Sequence, residues 1–339
     1  MRQIGVVMQD NVVIQVDNVN KRFKTYETKG RGIVASLFRK QYFKKALTNV
    51  SFSVKGGELA ALLGRNGSGK STMIKILMGI LFPDSGRARV LGMDPWKDRI
   101  KLASQIGVVL GAHSQLYWNL PAIDTFEFMR HIHHIPESMF RKRLKYFVKA
   151  LNLEKVYKRQ ARQLSLGEQM KCNFVASVLH APRIVFLDEP TIGVDLPSKL
   201  ALRKVILEMQ SQGTTFVLTT HIVEDIMIAQ RVIILDKGRK MFDGKREELE
   251  KLFGDKRHVD IFFTPGSRIN FSRFGRILNS ENGFVRLEIE KEGIKSKKFM
   301  ELLGNDDILD YKITDPGMNY VLSKLFKSYD RRKANKEMD

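Results

Sequence analysis

Uninterrupted apolar runs alternate with helix-like segments over much of this chain. Residues 59–63, 184–187 and 216–218 are apolar without alternation, which is typical of strands buried on both faces of a parallel sheet. Helix-like stretches lie at 73–78 and 170–180. Alternating strands and helices predict a layered α/β fold.

The pattern divides the first part of the chain into a core and a subdomain. We expect residues 12–110 and 180–250 to form the α/β core with a β-rich layer. The intervening segment, about 112–175, is helix-rich and predicts a helical subdomain. Together these parts make a predicted domain over 12–250.

After Gly254 the hydrophobic pattern changes. Residues 259–263 and 285–289 alternate as half-buried strands do, and 316–327 has the pattern of a helix. We therefore expect a small α+β appendage at 255–329. The remaining residues, 330–339, are highly charged and predict a tail without regular structure.

The amino-acid composition limits which cellular compartment and which kinds of partner we expect for this chain. Of the 339 residues, 43% are hydrophobic, yet no stretch approaches the roughly 18 apolar residues that a membrane-spanning helix needs. The first apolar run is too short for a signal peptide, and the single cysteine, Cys172, excludes an intramolecular disulfide and a cysteine-rich zinc site. We expect a cytosolic chain. The net charge of +21 favours an acidic membrane surface or nucleic acid as partner, the alternative being a charge that only aids solubility.

A glycine-rich loop between the first buried strand and a helix predicts a phosphate-binding site and a P-loop NTPase core. Glycines let the loop turn its N–H groups toward one point, and the helix N-terminus adds partial positive charge. The Lys70 ammonium reaches β- and γ-phosphates in such loops, and the Ser71 hydroxyl ligates Mg²⁺. The loop predicts a nucleoside triphosphate and Mg²⁺ site made by Gly64, Arg65, Asn66, Gly67, Ser68, Gly69, Lys70, Ser71 and Thr72.

Two carboxylates follow the apolar run at 184–187. Asp188, at the strand end, is placed to hold Mg²⁺. Glu189 can accept a proton from an attacking water, which is typically worth about 10²- to 10⁴-fold in rate. The alternative is a strand end with two solvated acids.

The order of motifs resembles that of the ATP-binding-cassette ATPases over residues from about 12 to 250. The phosphate loop is followed by the segment Leu164 to Gln169 with its Leu-Ser-x-Gly pattern, by the Leu-Asp-Glu-Pro strand, and by His221 at the end of another apolar strand. The resemblance implies that Ser165 and Gly167 contact the γ-phosphate bound by an opposing subunit. It also implies that His221 senses the γ-phosphate and that hydrolysis needs a head-to-tail dimer with two ATP molecules between the subunits.

The same resemblance assigns further residues to the nucleotide site. Asp195 corresponds to a loop aspartate that crosses the dimer interface. Phe23 is the candidate for stacking on adenine, with Tyr26 in reserve, although an aromatic residue there could equally belong to the core. Gln115 is assigned to the glutamine that links Mg²⁺ to the transport partner, but one alignment places Ala112 there instead.

Two residues of the signature segment depart from the family pattern. Leu166 stands where glycine is usual, and Glu168 where glutamine is usual. The two residues expected to touch phosphate are kept, so binding in trans is still expected. The branched side chain and the negative charge could weaken it.

Three segments outside the motifs have open interpretations. The aromatic opening of the helical subdomain, Tyr117 to Pro121, is where the family docks a membrane partner, unless it is a local aromatic core. The run His131 to His134 lacks neighbouring ligands and predicts a solvated helix end rather than a metal site. Residues 33–45 predict an amphipathic basic helix, which either lies on an acidic membrane or packs on the β-rich layer.

The leading hypothesis is an ATPase subunit of an ABC transporter at the cytoplasmic face of the membrane, most like the exporters of drugs, ions or polysaccharides. A separate permease would supply the pore. The alternative is a soluble ABC-type switch that acts on ribosomes or nucleic acid, although the second cassette, coiled coil or zinc module usual in such proteins is absent. A P-loop kinase or GTPase would want an Asn-Lys-x-Asp motif, which is also absent.

Overall fold

A computed structural model describes residues 12–28, 39–111, 114–252 and 255–336. The chain divides into two compact units, Met1–Gly244 and Lys245–Asp339. The strands of the first unit are β1 (Val12–Thr28), β2 (Arg39–Lys55), β3 (Leu59–Leu63), β4 (Ser85–Val90), β5 (Ile106–Leu110), β6 (Ile184–Asp188), β7 (Thr215–Thr220), β8 (Arg231–Asp236) and β9 (Arg239–Lys245). Its helices are α1 (Lys70–Leu77), α2 (Arg99–Ala103), α3 (Ala122–Ile132), α4 (Glu137–Ala150), α5 (Leu166–Val178), α6 (Leu196–Ser211) and α7 (Val223–Ile226).

A six-stranded sheet in the order β5-β6-β7-β3-β8-β9 forms the centre of the first unit. The pairs β5–β6, β6–β7, β7–β3 and β3–β8 are parallel, so these strands end at the same edge. Every residue of β3 and β7 is buried. The prediction of buried parallel strands is therefore confirmed, and the polar residues that follow them gather at one edge.

A three-stranded antiparallel sheet, β2-β1-β4, packs its apolar side with α1 in one core. The predicted basic helix over 33–45 is wrong for residues 39–45, which lie in β2 and pair with β1; residues 29–38 fall outside the described part. Phe43 lies opposite Lys24, and Lys44 lies opposite Phe23. Pairing with a distant strand satisfies the backbone here, and a local i,i+4 pattern cannot reveal it.

The helices α3, α4 and α5 pack against the other face of the sheet. Their core includes Phe126, Phe140, Phe147 and Phe174. The outer surface of α4 is strongly basic. Within the described residues, none of the helices has the length and apolar character to cross a membrane.

The second unit contains α8 (Arg246–Lys251), β10 (Lys256–Phe263), β11 (Arg276–Glu281), β12 (Phe284–Glu290), α9 (Lys291–Ile294), α10 (Lys297–Leu303), β13 (Ile308–Thr314) and α11 (Met318–Lys336). Its antiparallel sheet has the order β11-β12-β10-β13. The predicted strands fall within β10 and β12. The helix predicted at 316–327 is longer than expected, because α11 continues to Lys336 where we expected a tail without regular structure.

We predict that Phe299→Ala destabilises the second unit alone. Phe299 is 1% exposed in the apolar core of this unit, so truncation should cost about 3–5 kcal/mol of its unfolding free energy. Far-UV circular dichroism in urea should show an earlier transition. Both tryptophans, Trp96 and Trp118, lie in the first unit, so tryptophan fluorescence should not shift.

Met300→Ala is the matched control, because the adjacent Met300 is 57% exposed and should change the unfolding free energy by less than about 0.5 kcal/mol. A fluorescence transition that moves together with the circular dichroism would show that the two units unfold as one.

Candidate nucleotide site

The loop between β3 and α1 forms a close-packed turn at the edge of the central sheet. Gly69 precedes α1 with a φ of 106°. A Cβ atom there would lie 2.6 Å from the carbonyl oxygen of Ala46 on β2. Glycine is therefore required by both backbone conformation and space. The loop is consequently fixed against β2, with the N-terminus of α1 at its end.

Lys70 is the first residue of α1, and its side chain is buried. Its ammonium donates to the carbonyl oxygens of Gly64 at 2.8 Å and Arg65 at 3.3 Å, and lies 3.5 Å from Glu189 Oε1. Burial lowers the pKa of Lys70, and the carboxylates of Glu189 and Asp188 oppose that shift. The cation is thus held inside the loop beside the two acids at the end of β6.

Ser71 and Asp188 meet where α1 faces the end of β6. The Ser71 hydroxyl donates to Asp188 Oδ1 at 3.2 Å, and the Thr219 hydroxyl donates to the same oxygen. No cluster of three or more His, Cys, Asp or Glu residues suited to a metal occurs among the described residues. A hydroxyl and one carboxylate suit Mg²⁺, which commonly takes one or two protein oxygens and completes its shell with phosphate and water.

Glu189 has a left-handed backbone conformation, with a φ of 53°. Its N–H donates to the carbonyl and the hydroxyl oxygen of Thr219, both at 3.1 Å. His221 Nδ1 lies 3.4 Å from Glu189 Oε1. The structure therefore brings Lys70, Asp188, Glu189 and His221 together at the edge of the sheet.

Phe23 lines an open cleft with the phosphate loop. The cleft of about 490 Å³ is bounded by Phe23, the β2 residues Lys44 to Ala46, loop residues from Asn66 to Thr72, and Glu189. Phe23 is 38% exposed, so the alternative that it belongs to the core is wrong. The Lys21 ammonium lies 5.7 Å from its ring centre. The side chain of Tyr26, the reserve candidate, lies outside the described residues.

Ser165 caps the N-terminus of α5 through a reciprocal pair of hydrogen bonds with Glu168. The Glu168 N–H donates to Ser165 Oγ at 3.2 Å, and the Ser165 N–H donates to Glu168 Oε2 at 2.8 Å. Glu168 thus forms a capping box, a role that the sequence analysis missed although Ser-x-x-Glu is its pattern. The negative charge of Glu168 lies at a helix N-terminus, where it is stabilising.

Gly167 and Asp195 are in close contact. A Cβ atom on Gly167 would lie 2.3 Å from Asp195 Oδ2, so no larger residue fits without movement. Asp195 caps α6 by accepting from the Ser198 N–H at 2.9 Å, and the hydrogen bonds of Ser198 lower the pKa of the Asp195 carboxyl. The signature segment and the loop before α6 are therefore packed on one another.

Gln115 is not joined to the candidate metal residues. Its side-chain amide donates to the Val108 carbonyl, and its N–H donates to Asn173 Oδ1 at 2.8 Å. Among the described residues, neither Ser71 nor Asp188 hydrogen-bonds to it. The carbonyl of Val108 on β5 holds the amide nitrogen of Gln115, and the role of Gln115 as the Mg²⁺-linking glutamine stays a prediction. Ala112, the alternative, lies outside the described residues.

The aromatic segment before α3 lies at the surface. Trp118 is 58% exposed, and Tyr117 contacts Phe128 edge-on with 5.5 Å between ring centres. The alternative of a local aromatic core is therefore wrong for Trp118.

In the histidine run at the end of α3, the His133 ring stacks on the His180 ring with 3.9 Å between ring centres.

Thr219 is a site residue that sequence analysis missed. Its hydroxyl bonds to Asp188, and both its hydroxyl and its carbonyl accept from the Glu189 N–H. The available signal was a pair of threonines, Thr219 and Thr220, at the end of a strand that otherwise resembles the core. The pattern alone does not show which strand pairs with β6.

Comparison with known proteins identifies the family. A family model described as ABC transporter matches residues 47–192. An ABC transporter ATP-binding protein of Methanocaldococcus jannaschii, MJ1023, is 34% identical over 62% of this chain and 76% of its own length. The daunorubicin resistance ATP-binding protein DrrA3 of Streptomyces coeruleorubidus is 31% identical over 67% of this chain and 71% of its own length.

One relative is much longer than this chain, and a solved structure agrees on the fold. The chain spans 31% of an ABC transporter G family member of Dictyostelium discoideum. A solved ATP-binding subunit of an ABC transporter superposes with a TM-score of 0.61 at 24% identity, over 71% of this chain and 93% of that one. This likeness confirms the predicted P-loop NTPase fold. The chain belongs to the family of ABC transporter ATP-binding proteins, ATPases that bind ATP together with Mg²⁺.

Proposed function

We propose that this chain is the ATP-hydrolysing subunit of an ABC exporter, acting as a head-to-tail dimer beneath a separate membrane-spanning permease. The observation that carries the proposal is the arrangement at the sheet edge. Lys70, Asp188, Glu189 and His221 converge there, whereas Ser165 and Gly167 are not among the described residues that line the cleft. One chain thus offers half of the site that the family uses.

Each residue at the edge has a role that its position supports. Lys70 and the helix N-terminus bind the β- and γ-phosphates, and Phe23 packs on the base. Ser71 and Asp188 hold Mg²⁺, which neutralises charge on the phosphate oxygens when it is bound. Glu189 accepts the proton of the attacking water, and His221 orients Glu189 and contacts the γ-phosphate.

A second copy would complete the site with Ser165 and Gly167. Ser165 is exposed at the N-terminus of α5, where backbone N–H groups and the helix dipole favour an anion. The capping box fixes this terminus before any partner arrives. Asp195 lies against Gly167 and would enter the interface with it, so the dimer buries the signature and the loop before α6 together.

The exposed aromatic segment is the proposed contact with the permease. Tyr117, Trp118 and Phe128 form an apolar surface patch, and aromatic residues are enriched in protein interfaces. The net charge of +21, together with a row of exposed basic residues on α4, supports a position at the acidic cytoplasmic face of a membrane. The row consists of Arg141, Lys142, Lys145 and Lys149.

The direction of transport is proposed from the relatives. DrrA3 is named for daunorubicin resistance, and a second relative, at 32% identity, for probable multidrug transport. Export of an apolar or amphipathic compound is the corresponding proposal for this chain. The charge also favours a second candidate, a soluble switch on ribosomes or nucleic acid, which the last experiment below separates from transport.

We predict that Glu189→Gln lowers kcat by at least about 10²-fold, because it removes the proton acceptor but not the phosphate-binding groups. Titration with a fluorescent ATP analogue should give an affinity within about threefold of the wild type. Glu154→Gln, at an exposed position after α4, is the control and should leave kcat unchanged. Near-normal hydrolysis by Glu189→Gln would refute the role of Glu189.

We predict that the Glu189→Gln variant forms a dimer when Mg²⁺ and ATP are added, because slow hydrolysis preserves the bound nucleotides. Light scattering after size exclusion should give twice the chain mass. Ser165→Arg in the same background should remain monomeric, since the added side chain occupies the phosphate position. Ser138→Arg, at an exposed position of α4, should still dimerise. Dimerisation by the Ser165→Arg variant would exclude the trans site.

We predict that Trp118→Ser reduces recovery of a co-purifying polytopic membrane protein by at least about tenfold, as loss of a large interface aromatic does. The chain is recovered from gently solubilised cells, with and without nuclease and high salt. Tyr311→Ser, at 45% exposure in the second unit, is the control. Recovery of nuclease-sensitive ribosomal or nucleic-acid partners in place of a membrane protein would favour the soluble switch.

A further inference from the structure

A buried carboxylate lies behind the catalytic edge and receives three hydrogen bonds. Asp225, on α7, is 1% exposed. Its Oδ2 accepts from the hydroxyls of Thr191 and Thr220, the latter at 3.0 Å, and its Oδ1 accepts from Arg203 Nη2 at 3.0 Å. These three donors come from three different segments of the chain. Asp225 therefore joins segments that are distant in sequence.

Each donor lies on a segment of the chain that also carries a proposed residue of the ATPase site. Thr191 follows Glu189 by two positions, and Thr220 immediately precedes His221. Arg203 belongs to α6, whose N-terminal cap is Asp195. The Asp225 carboxylate thus connects three segments: the segment after β6, which carries Glu189; the turn after β7, which carries His221; and α6, which is capped by Asp195.

The position of His221 depends on this turn more than on its own contacts. The imidazole is 40% exposed, and within the described residues Glu189 is the partner that holds it. The turn is closed by the Thr220 hydroxyl, which accepts from the Ile222 N–H at 2.9 Å, and by the Asp225 N–H, which donates to the Ile222 carbonyl at 3.3 Å. Asp225 anchors that hydroxyl, so its carboxylate sets the orientation of the turn.

The surroundings make this anchor rigid. A cavity of about 20 Å³, lined largely by apolar side chains of the core, borders Thr191, Arg203 and Asp225. Charge-assisted hydrogen bonds are strong in such surroundings, and without Asp225 the Arg203 guanidinium, whose side chain is 20% exposed, would lose the carboxylate with which it pairs. Arg203 Nε has no hydrogen-bond partner among the described residues, so Asp225 carries the pairing of this cation. The cavity can hold about one water, so an alanine variant could be refilled by solvent.

We infer that Asp225 is a positioning residue for ATP hydrolysis, which sets the Glu189–His221 pair and the start of α6 in one rigid arrangement. The inference rests on the catalytic roles proposed above for Glu189 and His221. It predicts that weakening the hydrogen bonds of Asp225 lowers kcat without lowering the affinity for ATP. Lys70, Ser71 and the rest of the phosphate loop are outside this hydrogen-bond network.

The test measures steady-state hydrolysis and ATP affinity of four variants. Asp225→Asn keeps the shape and removes the charge, and it should lower kcat by at least about tenfold while KM for ATP changes less than threefold. Thr191→Val removes only the hydroxyl and should also lower kcat, as Asp225→Asn does. Thr191→Ser restores the hydroxyl and should recover most of the rate. Asp243→Asn removes a carboxylate that also pairs with an arginine and a lysine, but away from this network, and should leave kcat unchanged.

The outcomes separate positioning from stability and from the proposed roles. Thermal unfolding of each variant shows whether it is folded at the assay temperature, and the Thr191 pair decides the question if Asp225→Asn is not. Equal kcat for Thr191→Val and Thr191→Ser, or an unchanged kcat for folded Asp225→Asn, would overturn the inference. Glu189→Gln and His221→Ala, measured in parallel, show independently whether those two residues carry the chemistry.

Discussion

The parallel register of β3, β6 and β7 is the constraint on which the site depends. Leu63 pairs with Thr220, and Asp188 pairs with Thr219. These strands are apolar and buried on both faces, so polar residues can stand only where a strand ends. Because these three strands end at the same level, the phosphate loop, the two acids Asp188 and Glu189, and His221 lie side by side. A slip of one residue in any pair would move a charge into the core or withdraw it from the edge.

The backbone at this edge includes a conformation that is unfavourable for a residue other than glycine. Glu189 has a positive φ, and two bonds from its N–H to Thr219 compensate for that strain. The Lys70 ammonium is buried close to Glu189, where burial disfavours its charge and the carboxylates favour it. The site is therefore organised by interactions among its own groups. Thr219 and Asp225, which hydrogen-bond to residues of the site or to their neighbours in sequence, hold those groups in place.

Local patterns predicted the parts of the fold whose cause is local. The phosphate loop, the buried strands and the acids at 188 and 189 each depend on residues adjacent in sequence. The prediction was wrong at 39–45, because these residues pair with residues 22–28 of β1, which are distant in sequence. The interpretation of Glu168 considered its charge and missed its hydrogen bond to Ser165. Gln115 could not be placed from sequence, because the carbonyl of Val108 that holds it has no side-chain signature.

The unusual Leu166 is matched by its surroundings. A Cβ atom on Gly193, which has a φ of 68°, would lie 2.8 Å from Leu166 Cδ2. Glycine at 193 thus makes room for the larger residue at 166, just as Gly167 makes room for Asp195. The two departures from the family signature are therefore compensated within one chain: the branched side chain packs on the loop before α6, and the Glu168 carboxylate is engaged at the helix N-terminus. Ser165 and Gly167 remain at the helix N-terminus that is proposed to bind a phosphate, but the Glu168 carboxylate accepts the Ser165 N–H at that same end, so this departure places a negative charge where the phosphate would bind.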